Sequence, residues 1–348
     1  MKIRENVTLA ELTTLKIGGP ARYFADVDDA RDLPGLFQFA RERGVPAFIL
    51  GGGSNILMSD EGYPGLVIKL STKNISLGKC LNADGVESDN ERLLFIDAGA
   101  SWDEVVRTAV ENNCWGIENL SLIPGTVGGA IVQNIGAYGA EVSEVVHSVD
   151  IFDKQTKEVK RLSNHDCHFG YRDSIFKNDG KNFIILSTTL KLSTVPKPNI
   201  SYKDIATYFS SRGNAHPTIT EIREAIVHVR TEKFPKPGEY GTAGSFFKNP
   251  VVSTDLANKF LSKYPLAPHH DVGGGKIKLS AGWLIDHVLH MRGVRSGGVG
   301  CWDEQALVVV NYGTATSVEL NKFVDEMQKK LFDETGIMLE PEVISVST

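Results

Sequence analysis

Cysteine is scarce in this chain of 348 residues, and its four copies form no Cys-x-x-Cys pair. They are Cys80, Cys114, Cys167 and Cys301, all far apart in the sequence. A disulfide-stabilised scaffold and a structural zinc site both depend on more cysteines or on closely spaced ones, so the sequence argues against each. We expect four reduced thiols.

Long apolar runs are also missing. No stretch approaches the ~18 consecutive apolar residues that span a bilayer, and residues 1–15 carry dispersed charges rather than the apolar centre of a secretory signal. We therefore expect a cytoplasmic protein that makes no membrane contact. With 41% hydrophobic and 23% charged residues, the composition is that of a globular protein with two or three domains.

An excess of positive charge is absent as well. The 37 Lys and Arg residues stand against 43 Asp and Glu, which gives a net charge of −6. Such a surface has no overall attraction for nucleic acid or anionic lipid. An anionic substrate would have to be bound by local basic residues.

Charge disappears altogether between Asn119 and Ala140, where no Asp, Glu, Lys or Arg occurs. The stretch is rich in glycine instead, at Gly125, Gly128, Gly129, Gly136 and Gly139. Because glycine tolerates positive φ and lets the main chain approach a ligand closely, this pattern predicts exposed N–H groups around a flat or anionic ligand such as a dinucleotide. A tight loop between two buried strands explains the same glycines, and these residues alone leave both interpretations open.

A second glycine-rich segment, Gly51-Gly52-Gly53-Ser54-Asn55, follows a strand predicted at 45–50. It lacks the G-x-G-x-x-G spacing of the Rossmann fingerprint, and no suitable helix pattern follows it. A G-x-x-x-x-G-K-[ST] P-loop is absent from the chain. A nucleotide would therefore have to be held in another way.

Helix and strand patterns alternate along the chain without an internal repeat. Capping residues and apolar spacing predict helices over 28–43, 102–110, 218–229 and 316–335. Short β-rich runs predict strands at 45–50, 93–98, 149–152 and 183–186, and a C-terminal strand over 337–346 that is interrupted at Pro341. The proline-containing segment 195–199 predicts a linker and a domain boundary near Pro198.

Three polar residues lie in unusually apolar or glycine-rich surroundings: Arg172, Ser245 and Glu342. Each has a simple structural explanation when it is considered singly. Arg172 can pair with Asp173 or another carboxylate, Ser245 can be a turn hydroxyl, and Glu342 can face solvent from a strand. Singly, these explanations are favoured.

Six motifs occur in order along the chain: GGGSN at 51–55, PGTVGGA followed by QNIGAYG within 124–139, YRDSIFK at 171–177, AGSFFKNP at 243–250, AGWLID at 281–286 and LEPEV at 339–343. Together they resemble the UDP-N-acetylenolpyruvoylglucosamine reductase family over nearly the whole chain, and this resemblance changes the assessment of the three residues. Six ordered motifs are far more specific than one glycine-rich loop.

The resemblance implies an α+β protein that binds FAD non-covalently. An FAD-binding domain of the p-cresol methylhydroxylase (vanillyl-alcohol oxidase) type would comprise two α+β subdomains, 1–70 and 71–198. An α+β substrate-binding domain, 199–348, would follow, with a C-terminal strand carrying Glu342. The implied cofactor contacts are Gly51, Gly52, Gly53, Ser54, Asn55, Pro124, Gly125, Gly128, Gly129, Asn134, Gly136, Ala137, Tyr138 and Gly139.

The implied reaction belongs to peptidoglycan-precursor synthesis. NADPH reduces FAD, and the reduced flavin passes hydride to C3 of an enolpyruvyl ether on UDP-N-acetylglucosamine, giving UDP-N-acetylmuramate. An enol ether is electron-rich, so the negative charge that develops at C2 must be stabilised. The resemblance places Arg172 and Glu342 at the substrate carboxylate and makes Ser245 the donor of the proton to C2.

Further substrate contacts follow from the resemblance. Tyr202 and Lys233 match residues at the diphosphate, and Asn249 and Gln305 match two more substrate contacts. The segment carrying Tyr202 is similar to the longer of two family forms, in which a tyrosine loop closes over substrate and excludes water. Only small-molecule substrates are implied, with no obligatory protein partner.

Two other functions stay open beside the reductase. One is an FAD-linked sugar or alcohol oxidase of the same fold, and the other is a non-catalytic flavin-binding protein. The presence of Arg172, Ser245 and Glu342 in their motifs argues against both. The histidine-containing clusters 165–168 and 269–271 lack zinc-site spacing, and we expect no metal.

Overall fold

A computed structural model describes residues 2–81, 85–236 and 238–346 of the chain. The strands are β1 (Ile3–Thr8), β2 (Pro20–Val27), β3 (Ala47–Leu50), β4 (Ile56–Met58), β5 (Tyr63–Leu70), β6 (Ile75–Leu81), β7 (Glu87–Asp97), β8 (Gly136–Ala137), β9 (Ala140–Glu141), β10 (Val146–Asp153), β11 (Glu158–Ser163), β12 (Phe183–Ser193), β13 (Gly241–Ser245), β14 (Val251–Ser253), β15 (His269–Gly273), β16 (Lys276–Leu279), β17 (Arg295–Ser296), β18 (Val299–Cys301), β19 (Val308–Asn311) and β20 (Ile344–Val346). The α-helices are α1 (Leu33–Glu42), α2 (Trp102–Glu111), α3 (Val127–Gln133), α4 (Lys203–Ser210), α5 (Ile219–Lys233), α6 (Thr254–Lys263), α7 (Ala281–Trp283) and α8 (Ser317–Thr335).

The described residues form two compact units. Unit 1 comprises 1–5, 23–52 and 64–230, and unit 2 comprises 6–22, 53–63 and 231–348. These units are defined by packing, whereas the predicted boundaries after residues 70 and 198 separate the FAD-binding subdomains and the substrate-binding domain. The two divisions differ. The three-domain description therefore stays a prediction.

Unit 1 is built on an antiparallel five-stranded sheet of order β11-β10-β12-β7-β6 and most of a four-stranded sheet of order β1-β2-β5-β3. The larger core combines this five-stranded sheet with buried residues of α2, α3, α4 and α5. A second core lies between α1 and the four-stranded sheet, where Leu33 and Leu36 pack with Leu66 and Ile68. Helices on one side of sheets are typical of α+β proteins.

Unit 2 contains a four-stranded sheet, β13-β19-β18-β17, a three-stranded sheet, β14-β16-β15, and the parallel pair β20-β4. Its core brings the apolar side of α8 together with Val299, Cys301 and Val309 of the larger sheet. In the part of the chain that the structure describes, no helix combines the length and apolarity needed to cross a membrane.

Local sequence signals explain the best-predicted elements. Thr316 and Glu319 form a reciprocal capping box at the start of α8, and Gly336 ends that helix with a left-handed φ of 72°. Before α2, Ser101 and Glu104 have the spacing that predicts a capping box, but Ser101 makes no side-chain capping bond, so this prediction is wrong. The helix forms because its apolar stripe is buried, with Trp102 fully inaccessible.

Two further predictions need correction. Glu342 does not lie on a strand: Pro341 forms only an isolated β-bridge with Phe247, and β20 begins at Ile344. Helix α1 begins at Leu33 rather than at residue 28, since Ala30–Asp32 form a separate 3₁₀ turn capped by Asp29. The strands predicted at 45–50, 93–98, 149–152 and 183–186 are confirmed within β3, β7, β10 and β12.

Candidate active site

Two glycine-rich loops touch through their main chains in unit 1. A β-carbon added to Gly52 would lie 2.5 Å from the Cα atom of Gly125, and one added to Gly51 would lie 3.1 Å from Oγ1 of Thr126. Gly129 is exposed, and a β-carbon there would meet only Thr126 Oγ1, at 3.8 Å. The two segments that the sequence predicts as cofactor loops therefore meet through glycine main chain, with the Thr126 hydroxyl beside the contact.

Helix α3 lies within the second glycine stretch, which sequence reasoning treated only as a main-chain surface. The N–H groups of Val127 and Gly128 donate to the carbonyls of Ala100 and Ala98, at 3.0 and 2.8 Å. Gly128 also packs closely, since an added β-carbon would lie 3.2 Å from that of Ala98. Tertiary packing thus overrides the poor helix propensity of glycine here.

Asn134 ends α3 and connects it to a distant loop. Its φ of 45° is left-handed, a conformation that asparagine tolerates. Its side-chain Nδ2 donates to the carbonyl of Gly170 at 2.8 Å and to the Glu141 carboxylate at 3.0 Å, while its Oδ1 accepts the N–H of Ser143. Asn134 therefore fixes the segment that leads to Arg172.

Arg172 lies directly on the glycine stretch. Its Nη2 donates to the carbonyl of Gly136 at 2.6 Å, and a β-carbon at Gly136 would come within 2.8 Å of Nη1. Arg172 has a positive φ of 54°, and its own carbonyl accepts a hydrogen bond from Lys177 Nζ at 2.7 Å. The guanidinium is thus held by main chain in the region that the sequence marks as the cofactor site.

Tyr138 and Tyr202 are neighbours in unit 1. Their rings are 5.2 Å apart and almost perpendicular, and Tyr202 stays 45% exposed. Burial raises the pKa of Tyr138 to about 12, so its hydroxyl is neutral at physiological pH. Asn119 Nδ2 donates to the carbonyls of Tyr138 and Asn199, and Asn199 Nδ2 donates to the carbonyl of Gly139. This network joins the glycine stretch to the segment that carries Tyr202.

Helix α5 supplies two arginines that sequence reasoning missed. Arg223 forms a two-pronged pair with Asp103, with both N–O distances 2.8 Å, and Arg230 hydrogen-bonds the Tyr138 hydroxyl. Burial raises the pKa of Asp103, but hydrogen bonds from Arg223 and from the N–H of Leu122 outweigh it, so this pKa lies below its ordinary value. The available signal was that Arg223 and Arg230 are two helical turns apart, beside the apolar positions of α5.

In unit 2 the end of the first glycine loop meets the C-terminal segment. Gly53 has a φ of 64°, and a β-carbon there would lie 2.0 Å from the carbonyl oxygen of Leu12, so only glycine fits. Asn55 Nδ2 donates to the carbonyl of Glu342 at 3.1 Å, and the Asn55 carbonyl accepts the N–H of Ile344 at 3.0 Å. Asn55 thus contacts both sides of residue 343.

Ser245 and Glu342 lie on adjacent main-chain segments of unit 2. Ser245 ends β13, and the carbonyl of the next residue, Phe246, accepts the N–H of Glu342 at 2.8 Å. Gly244, just before Ser245, has a φ of 75° and open space around the position of a β-carbon. Both predicted catalytic side chains of this unit therefore start from neighbouring points.

Asn249 and Gln305 converge on the start of α7. Asn249 Oδ1 accepts the N–H of Ala281 at 2.9 Å, and Gln305 Oε1 lies 3.2 Å from where a β-carbon of Gly282 would stand. Lys233 is the last residue of α5 and is half-buried. Asn249 and Gln305 are thus brought together within the AGWLID motif region.

For three other predicted cofactor contacts, the structure gives mainly the degree of exposure. Ser54 and Ala137 are half-buried and Pro124 is exposed. Across the described ranges 2–81, 85–236 and 238–346, no group of three His, Cys, Asp or Glu side chains has the geometry of a metal site.

Comparison with known proteins gives concordant results along the chain. The family model "FAD binding domain" matches residues 21–163, and the model "UDP-N-acetylenolpyruvoylglucosamine reductase, C-terminal domain" matches residues 236–346. The UDP-N-acetylenolpyruvoylglucosamine reductase of Chromobacterium violaceum is 39% identical over 344 residues, covering 98% of each chain. That of Pseudomonas aeruginosa is 36% identical over 342 residues, again covering 98% of each chain. The crystal structure of UDP-N-acetylenolpyruvylglucosamine reductase from Thermus caldophilus covers 100% of both chains, with a TM-score of 0.68 at 25% identity.

Proposed function

The chain belongs to the UDP-N-acetylenolpyruvoylglucosamine reductase family of FAD-dependent oxidoreductases in peptidoglycan synthesis, and we propose that NADPH supplies the electrons for its reaction. The predicted family, the α+β fold with an FAD-binding domain, and FAD as cofactor are confirmed. In the proposed reaction the enolpyruvyl ether of UDP-N-acetylglucosamine gains hydride at C3 and a proton at C2. The product is UDP-N-acetylmuramate.

One observation carries the residue assignment: the hydrogen bond from the Glu342 N–H to the Phe246 carbonyl, at 2.8 Å. It sets the chain that bears Glu342 beside the end of β13, which bears Ser245. Neighbouring main-chain origins let a proton donor and a carboxyl group reach one reacting centre with a fixed relative position. The bond therefore supports a shared task for Ser245 and Glu342.

The residues around Gly52 fit an anionic dinucleotide. Gly52 meets Gly125 without an intervening β-carbon, the Thr126 hydroxyl lies beside Gly51, and Gly129 is exposed. Glycine main chain of this kind can present N–H groups to a phosphate. We assign the diphosphate of FAD to this surface, and when bound, FAD supplies the redox chemistry by accepting and donating a hydride.

Arg172 and Glu342 stabilise the charge that appears on the substrate carboxylate as C2 becomes carbanionic. A guanidinium can give two parallel hydrogen bonds to a carboxylate, and its charge is permanent. Glu342, if protonated, donates a hydrogen bond to the developing enediolate. Ser245 gives the proton to C2; a hydroxyl is a weak acid, but a carbanion is a strong enough base when the geometry is held.

Substrate binding is assigned to four further residues. Tyr202 and Lys233 bind the diphosphate, and Asn249 and Gln305 bind further polar groups of the UDP-sugar. The exposed ring of Tyr202 beside Tyr138 supports a loop that closes over substrate. The four cysteines are free and buried, which supports a location in a reducing compartment, the cytoplasm.

The test follows the flavin band in an anaerobic experiment. The purified protein is reduced with NADPH, and the enolpyruvyl UDP-sugar is then added without oxygen. We expect the oxidised spectrum to return rapidly. Recovery only after air is admitted would instead indicate an oxidase of the same fold, and a protein that takes up no FAD would contradict the proposal entirely.

A further inference from the structure

The Glu342 peptide unit is held from two directions. Its N–H donates to the Phe246 carbonyl at 2.8 Å, and its carbonyl accepts a hydrogen bond from Asn55 Nδ2 at 3.1 Å. Two residues further on, the N–H of Ile344 donates to the Asn55 main-chain carbonyl at 3.0 Å. Asn55 is the only side chain among these partners, since every other group is main chain.

On the Phe246 side the main chain is paired, because Pro341 forms an isolated β-bridge with Phe247 and the Glu340 carbonyl accepts the N–H of Lys248 at 2.9 Å. Pro341 has no N–H to donate, and the β20 ladder starts only at Ile344. Glu342 therefore lies between a proline and the first residue of a strand, and it makes no regular ladder on the Asn55 side. A side-chain amide that binds its carbonyl replaces the missing ladder bond.

We propose that Asn55 is a positioning residue for Glu342, a role distinct from the cofactor contact that its motif predicts. The inference rests on the proposed function of Glu342. One N–H of the Asn55 amide is committed to the Glu342 carbonyl, so the amide fixes the main-chain torsions from which the carboxyl group projects. A carboxyl group displaced by about 1 Å can cost about 100-fold in rate.

The Asn55→Ala substitution removes the amide and keeps the main-chain bond to Ile344. We expect the reoxidation of reduced flavin by substrate to slow about 10- to 100-fold. With the protein saturated with FAD, the rate of flavin reduction by NADPH should fall much less than the rate of reoxidation. Hydrogen–deuterium exchange should increase at the amide of Glu342, which is a readout independent of activity.

A matched control comes from α8. Gln328 Nε2 donates to the carbonyl of Leu339 at 2.7 Å, the same kind of bond three residues before Glu342. Gln328→Ala should loosen the C-terminal segment without selectively slowing reoxidation. If both variants slow it equally, Asn55 has only a general structural role and the proposal is wrong.

A double-mutant cycle separates positioning from cofactor binding. If Asn55 acts through the Glu342 carboxyl, Asn55→Ala added to Glu342→Gln should slow reoxidation less than about twofold further. If Asn55→Ala slows reoxidation as much in the Glu342→Gln protein as it does alone, the inference is wrong. It is also wrong if Asn55→Ala alone loses FAD and slows both half-reactions equally. Failure of the unmodified protein to be reoxidised by the enolpyruvyl UDP-sugar would instead reject the proposed function.

Discussion

Gly52 and Gly125 are in contact through main chain alone: a β-carbon on Gly52 would lie 2.5 Å from the Gly125 Cα atom and 3.0 Å from the carbonyl carbon of the same residue. Real β-carbon contacts are essentially never this short, so the two loops approach as closely as they do only because residue 52 is glycine. The contact joins two segments that are 73 positions apart in the chain. We infer that it shapes the FAD diphosphate site.

Gly52→Ala should therefore yield a protein that binds FAD poorly. The new methyl group pushes the loops apart, and overpacking of this kind typically costs about 1–3 kcal/mol. A loss of about 1.4 kcal/mol in the bound state lowers affinity tenfold. The measurement is the ratio of flavin to protein absorbance after gel filtration, together with a titration of the apoprotein with FAD.

Gly213→Ala is the matched control for that variant. Gly213 has a φ of 66° but open space around an added β-carbon, so alanine introduces backbone strain without a collision. The strain costs about 1 kcal/mol of stability, and FAD binding should be unchanged. Equal loss of flavin in both variants would show that general destabilisation, not the loop contact, is responsible.

Asn249→Asp should weaken substrate binding without unfolding the protein. The Oδ1 atom of Asn249 accepts the Ala281 N–H at 2.9 Å, which orients Nδ2 away from α7 as the donor available to a ligand. Aspartate keeps the acceptor but replaces the donor by a negative oxygen, which repels an anionic UDP-sugar. We expect KM for the UDP-sugar to rise at least about tenfold, a change of about 1.4 kcal/mol.

Asn249→Ala also tests whether Asn249 contacts the substrate, because it removes the amide without adding a charge. It removes the acceptor for Ala281 as well as the donor, so the melting temperature should fall, while the added repulsion is absent. KM should accordingly rise less than in Asn249→Asp. An unchanged KM in the aspartate variant would exclude Asn249 from the substrate site.

Asp103 and Arg223 should contribute a pH-dependent part of the stability. The pKa of Asp103 lies below its ordinary value of 3.8, because hydrogen bonds from Arg223 and Leu122 outweigh burial. A depressed carboxyl pKa stabilises the folded state above the unfolded pKa, and this contribution is lost as pH falls through the folded pKa. Asp103→Asn should thus be destabilised by about 2 kcal/mol at pH 7, the scale of a charged hydrogen bond.

Urea unfolding at several pH values checks this expectation. The difference between the unmodified protein and Asp103→Asn should be constant from pH 7 down to about pH 5 and should shrink only below the ordinary Asp pKa. Glu104→Gln, on the exposed side of the same helix turn, should change stability by less than about 0.5 kcal/mol. A pH-independent difference for Asp103→Asn would contradict the ion-pair explanation.

The sequence predicted α8 almost completely, because Thr316, Glu319 and Gly336 are local signals and the apolar spacing between them matches one helix. It did not predict that α3 runs through the second glycine stretch, since Gly128 fits there only by packing on Ala98, a contact that no local pattern encodes. The strand expected around Glu342 is reduced to an isolated β-bridge between Pro341 and Phe247, because the Glu342 carbonyl binds the Asn55 side chain rather than a neighbouring strand.

The candidate site residues show the same difference between local sequence signals and tertiary contacts. Arg172, Ser245 and Glu342 stand out through family motifs, whereas Arg223 and Arg230 have no motif and gain meaning only from Asp103 and Tyr138. The residues that we propose to contact a ligand are therefore the ones that stand in recognisable motifs. Residues that hold them in place depend on tertiary contacts, which the sequence does not display.

Ser245→Ala should separate the two halves of the catalytic cycle. In the proposed mechanism the serine hydroxyl acts only when substrate is reduced, so flavin reduction by NADPH should proceed at the normal rate. Reoxidation by the enolpyruvyl UDP-sugar should slow at least about 100-fold, the lower range for loss of a general acid. Anaerobic stopped-flow measurement of each half-reaction gives the two rates. Because alanine is smaller than serine and Gly244 leaves open space beside it, steric disturbance is minimal, and an equal decrease in both rates would exclude Ser245 as the proton donor.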